Sequence, residues 1–175
     1  MGASDEQVEI RNSNSLNAND LKNQRLSIDG FNLLITMESF LSGAYVFKGR
    51  DGFFRDISSV HGSYKRVSQS ESAVIMIGDY LTCNEVSAVR WILDAPVSNS
   101  GRLRAFLTDL AAQRSWNWEF VLDNNPDKLL AETDDVVVTS DAWILDRAKR
   151  NYNLVEGLIA DVDKVNHNIV NISQL

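Results

Sequence analysis

The chain has 175 residues, 44% of them hydrophobic, and a formal net charge of −7. These values suit one soluble domain with its own core, and they argue against a broad basic face that wraps nucleic acid, though not against a small site that cuts a strand. Cys83 is the only cysteine, which excludes an intrachain disulfide and a cysteine metal cluster, and neither a signal-peptide pattern nor an apolar run of about 18 residues is present, so the expectation is a cytoplasmic protein with no membrane span.

Residues 1–24 are rich in Ser, Asn, Asp and Gln and are expected to be a flexible polar tail, with residues 25–175 forming a single α/β domain. Leu26 to Asp29 reads as a strand and Gly30 as a turn. Phe31 to Leu41 reads as a helix, from Phe31, Leu34, Ile35, Glu38 and Leu41 at helical spacing. Tyr45 to Phe47 is β-prone, Gly49 to Gly52 is a turn, and Asp56 to Tyr64 is expected to be helical. Ser68 or Ser70 is expected to cap the next helix, which ends near Asn84.

Ala88 to Leu93 is mostly apolar on both parities, as a strand buried on two faces should be. Ser100 is expected to cap a helix over Gly101 to Gln113, with Leu103, Phe106, Leu107, Leu110 and Ala111 as its apolar stripe. Trp118 to Leu122 is a strand, Asn124 to Asp127 a turn, and Lys128 to Ala131 a short helix. Val136 to Val138 is the strongest buried-strand signal. A helix over Ala142 to Lys149 follows, capped by Ser140 or Asp141, with Trp143 packing on it. Tyr152 to Val155 is expected to be a last strand. Strands alternating with helices at this spacing predict a central, mostly parallel sheet covered on both faces.

Acidic residues follow the strands. Asp29, Asp94 and Asp141 each lie just beyond an apolar run, so parallel neighbours would bring all three carboxylates to one sheet edge. Like charges there need a counter-charge, and Mg²⁺ or Mn²⁺ is the simplest candidate. Glu38 and Asp56 are candidates to complete the shell, and Asp146 can reach it through solvent. Asp123 reads as a turn residue, and Asp134 and Asp135 as solvated flank at the opposite edge. The loop Ser98-Asn99-Ser100-Gly101-Arg102 opens a helix beside Asp94 and offers backbone N–H groups, hydroxyls and a guanidinium to a phosphate. Arg55, His61 and Lys65 form a second candidate phosphate-binding group, and Ser140 stands beside Asp141 with a hydroxyl that can hold a water.

Ile28-Asp29-Gly30-Phe31-Asn32 resembles the opening motif of PIN-like and NYN-type metal-dependent ribonucleases, and Val138-Thr139-Ser140-Asp141 resembles their late strand–hydroxyl–aspartate motif. Asp94 matches their middle acidic position, Glu38 their early helical acid, and Asn32 the asparagine after the first turn. The chain is also similar to an uncharacterised prokaryotic family of unknown function. That similarity rests on Asp29-Gly30-Phe31-Asn32, Asp51-Gly52-Phe53, Arg55-Asp56, His61-Gly62, Leu93 to Ser98, and Thr139-Ser140-Asp141, within about Arg25 to Leu158. The resemblance implies a three-layer Rossmann-like (PIN-like) domain with four or five central strands, and cleavage of single-stranded RNA with Mg²⁺ or Mn²⁺. Rival expectations are a non-catalytic phosphate or nucleotide binder, a protein-interaction module, and a phosphatase acting on a phosphate-containing small molecule. Oligomeric state is left open.

Overall fold

Strand after strand of the parallel sheet is built from the β-branched and apolar runs of the sequence. The computed structural model describes residues 2–56, 67–160, 162 and 168–172. In chain order these form helix α1 (Asp5–Ser13), strand β1 (Arg25–Asp29), helix α2 (Gly30–Leu41), strands β2 (Val46–Lys48) and β3 (Phe54–Asp56), and helix α3 (Val67–Cys83). There follow strand β4 (Ala88–Asp94), helix α4 (Ser100–Arg114), strand β5 (Trp118–Asp123), helix α5 (Pro126–Glu132), strand β6 (Val136–Val138), helices α6 (Ala142–Leu145) and α7 (Leu154–Ala160), and strand β7 (Ile169–Asn171).

The main sheet has the order β5-β4-β1-β6 and every pairing in it is parallel. The chain moves outward from β1 to β4 to β5, then returns to the other side of β1 for β6. Because crossovers between parallel strands are right-handed, this reversal places α5 on the face opposite α3 and α4. Burial follows the same division. Leu26, Ile28, Trp91, Leu93, Val136 and Val138 pack with α2, α3, α4 and α7 in the larger core, whereas Ile92 and Val137 pack with Leu130 and Ile144 of α5 and α6. The result is the expected three-layer Rossmann-like arrangement. A small second sheet, β3-β2-β7, lies outside it, with β2 antiparallel to β3 and parallel to β7. No helix among the described residues is long and apolar enough to cross a membrane.

Several elements differ from the sequence-based expectation. The N-terminal stretch carries α1 rather than a featureless tail. Ser4 and Gln7 close a capping box at its start, and Arg11 at its last turn is buried. Helix α1 has little apolar surface to bury, so hydrophobic patterning does not announce it; it is held by charge. Arg11 donates to Asp51 at 2.6 Å and to Asp146 at 2.7 Å, and Arg55 grips Asp51 with two nitrogens at 2.8 and 2.6 Å. Burial pushes the Asp51 carboxyl up, but Arg55 and Arg11 outweigh it and hold the pKa below the usual carboxylate range.

Tyr152 to Val155 does not form a strand. Leu154, Val155 and Leu158 lie on one face of α7 and enter the larger core, and a short apolar run does not distinguish strand from helix by periodicity. Helix α6 ends at Leu145, earlier than expected. Ser70 sits inside α3 and donates to Glu38 at 2.6 Å instead of capping. Asn99, in the left-handed region at φ 69°, occupies the N-cap of α4, and Ser100 turns inward to donate to the Ala95 carbonyl. Asp56 closes β3, and the helix expected over residues 56–64 lies otherwise outside the described residues, as do His61 and Lys65.

Candidate functional site

Strand parity explains which acids meet. Side chains alternate across a strand, and partners in a parallel ladder point to the same face. Asp29 pairs with Ile92, and Asp94, two residues beyond Ile92, pairs with Asp123. Asp29, Asp94 and Asp123 therefore share the face of Ile92, the face covered by α5 and α6. Asp94 stands roughly 7 Å further along the strand direction than Asp29. Asp141 caps α6, its Oδ1 accepting from the N–H groups of Trp143 and Ile144 at 2.8 and 3.1 Å. Asp127 lies in the first turn of α5. The crevice between β1 and β6 is where the strand order reverses, the place where open α/β sheets hold ligands.

The local sequence is suited to this convergence. Gly30 follows Asp29 directly, and a Cβ there would lie 2.5 Å from Leu93 Cδ2 and 3.1 Å from the Ile92 carbonyl oxygen. Only glycine lets α2 begin this close to β4. Asp29 caps α2 by accepting from the Asn32 N–H at 3.4 Å, and it accepts from the Thr139 hydroxyl at 2.8 Å. Thr139 Oγ1 in turn accepts from the Asp141 N–H at 3.0 Å. The Asn32 amide oxygen accepts from both the N–H and the hydroxyl of Ser140, at 2.9 and 3.0 Å. Arg55 Nε donates to the Ser140 carbonyl at 2.9 Å. The loop after β6 is thus fastened to β1 and α2 from one side and to β3 from the other.

Asp29 is part-buried, and the desolvation of its carboxyl pushes its pKa up to about 7. Asp127 and Asp141 push the same way, while the Thr139 hydroxyl and the Asn32 N–H pull it down. Asp127 is likewise raised, by burial, Asp141 and Asp94. Among the described residues no arginine or lysine forms an ion pair with Asp29, Asp94, Asp127 or Asp141. Four carboxylates are therefore coupled at one edge with no ion-paired cation among the described residues.

The other sequence-derived candidates separate into groups. Glu38 is buried between α2 and α3 with Ser70 on its Oε1, and Asp29 does not feel it among its main electrostatic neighbours. Asp56 stands on β3 in the second sheet. Asp146 is tied to Arg11 and Gln7. Arg55 is spent on Asp51 and Ser140. Ser98, Gly101 and Arg102 are exposed at the entrance of α4, and Ser100 is buried there. Asp127 is the acid that sequence reasoning passed over, because it sits in a turn rather than after a strand. The available signal was Asn125-Pro126-Asp127, a capping residue, a proline at the first helical position and an acid in the first turn.

The donor set suits a hard divalent cation, being carboxylate oxygen with no histidine or cysteine among these four residues. Among the described residues no three His, Cys, Asp or Glu side chains are gathered tightly enough to coordinate one ion directly. Mg²⁺ usually keeps several waters, so a looser set of acids fits it better than it fits Zn²⁺.

The family model described as "Domain of unknown function (DUF5616)" matches residues 18–157, which include all four acids and exclude α1. The chain is 31% identical over 158 residues to "Uncharacterized protein MJ0935" of Methanocaldococcus jannaschii, covering 90% of this chain and 74% of that protein. With the match spanning the whole parallel sheet and its acidic edge, the chain belongs to the DUF5616 family.

Proposed function

We propose that the acidic edge is the active site of a metal-dependent phosphodiesterase that cleaves single-stranded RNA. The observation that carries this reading is the electrostatic coupling of Asp29, Asp127, Asp141 and Asp94, without a basic partner among the described residues, around a carboxyl whose pKa lies at about 7. The likeness of Ile28 to Asn32 and of Val138 to Asp141 to PIN-like and NYN-type ribonuclease motifs supports the same chemistry.

Asp29, Asp94 and Asp141 would hold Mg²⁺ or Mn²⁺, with Asp127 in place of Glu38 as the fourth acid. Such an ion supplies an acidified water and offsets charge on the phosphate. Asp29 gives up its proton near neutral pH as positive charge arrives. Asn32 and Thr139 keep the loop after β6 aligned with β1. Arg102 and the free N–H groups at the start of α4 offer a seat for the phosphate next to Asp94.

The test is cleavage of short labelled RNA and DNA with Mn²⁺ by the wild-type protein and by Asp94→Asn. Loss of at least about 100-fold in rate is expected, beyond the cost of removing an outer hydrogen-bond partner of a metal ligand. Equal activity in the variant would reject the mechanism. Tight nucleotide binding in calorimetry with intact RNA would favour a non-catalytic binder at the same edge.

A further inference from the structure

Among the described residues, Trp143 presents a large exposed aromatic surface next to the acidic edge that the enzymatic reading leaves unexplained. Trp143 is 45% exposed although it lies in the first turn of α6, two residues beyond Asp141. Its backbone N–H donates to the Asp141 carboxylate at 2.8 Å, which holds the Trp143 backbone beside that acid. The Arg147 guanidinium lies over the indole, 4.1 Å from the ring centroid, and donates to the Trp143 carbonyl at 3.0 Å. One aromatic surface is thus stiffened by a cation on its own segment while nearly half of the residue stays open.

An open groove of about 560 Å³ runs beside this ring, lined by Trp143, Asn125, Asp127, Lys128 and Glu132. That volume lies within the range of about 300–1,000 Å³ usual for small-ligand sites. Asp127 belongs both to this groove and to the coupled acids, so groove and acidic edge are continuous. The groove supplies the parts a nucleotide needs: a flat π surface at Trp143, the side-chain amide N–H groups of Asn125 for a base edge, and a cation at Lys128 for the backbone.

We propose that Trp143 is a nucleobase-stacking platform that seats a base of single-stranded RNA in the α5–α6 groove, one nucleotide unit from the phosphate held at the acids. The proposal rests on the phosphodiesterase reading for its ligand, but its own prediction concerns binding. Arg147 polarises and steadies the indole. Lys128 takes a backbone phosphate. Stacking on a π surface tolerates every base, so the subsite confers a preference for unpaired strands without sequence selectivity.

The experiment measures anisotropy of a fluorescein-labelled single-stranded RNA decamer in Mg²⁺ with the wild-type protein, Trp143→Ala, Trp143→Leu and Trp143→Phe, alongside a decamer with abasic sites. Cleavage of each is followed in parallel with Mn²⁺. Trp143→Ala and Trp143→Leu are expected to raise Kd about tenfold, while Trp143→Phe stays within about threefold, because an aromatic face but not bulk is required. On the abasic strand the four proteins are expected to bind alike. Kd values for the intact strand that match the wild type in Trp143→Ala and Trp143→Leu overturn the subsite, and cleavage that persists leaves the phosphodiesterase reading standing. Trp143-dependent binding with no cleavage by any protein upholds the subsite and rejects the enzyme. An equal loss in Trp143→Phe and Trp143→Ala, or capture of neither strand by the wild type, overturns the subsite.

Discussion

Replacing Asp29 by asparagine should make the metal-free protein more stable at alkaline pH and less stable at acid pH. The pKa of Asp29 is raised from 3.8 in the unfolded reference to about 7 in the fold, chiefly by burial. Between those values the folded state holds a proton that the unfolded state has released, so folding stability falls as pH rises through that window. About 3 units at 1.36 kcal/mol each give a loss of up to about 4 kcal/mol above pH 7. The asparagine removes this loss but weakens the hydrogen bond from Thr139, a cost of about 1 kcal/mol. The net gain should be about 3 kcal/mol near pH 8, should vanish near pH ~4.5, and should become a loss of about 1 kcal/mol at lower pH. Urea unfolding of both proteins in chelator, from pH 4 to 8.5, measures the difference directly. Parallel stability profiles for the two proteins would refute the buried, electrostatically crowded carboxyl. Mn²⁺ should reverse the order above neutrality, because the cation binds the ionised form of the wild type.

Two further outcomes follow from the same contacts. Asp127→Asn should lower the midpoint at which Asp29 titrates, seen by carbon-13 carboxyl shifts, because Asp127 contributes to raising it; an unchanged midpoint would dissolve the coupling. Arg11→Ala should cost about 3 kcal/mol in urea unfolding, since it removes the buried guanidinium that Asp51 and Asp146 share. The figure sits at the low end of such losses because Arg55 still grips Asp51, and a change under about 1 kcal/mol would show that α1 is only loosely attached.

Much of the parallel sheet was legible in the chain. Val136 to Val138 is apolar on both parities and Ala88 to Leu93 mostly so, as a strand covered on two faces requires, and Leu26 and Ile28 mark the inner face of β1. The acids that end these strands were equally plain, because an aspartate after an apolar run is a local pattern. Three things were not legible. Helix α1 is held by Arg11 to acids at positions 51 and 146, and pairing across such separations leaves no periodic trace. The α7 segment is too short for its period to separate helix from strand. Asp127 stands in the first turn of α5 and not at the end of a strand, so no local pattern joined it to Asp29. The sequence by itself determined which segments are buried strands and which acids stand at their ends, because both are written in neighbouring residues. Only the tertiary structure decided that β6 returns beside β1, that α5 therefore crosses to the opposite face, and that Asp127 comes to share one electrostatic field with Asp29, Asp94 and Asp141, because strand order and crossover side are properties of the whole path of the chain.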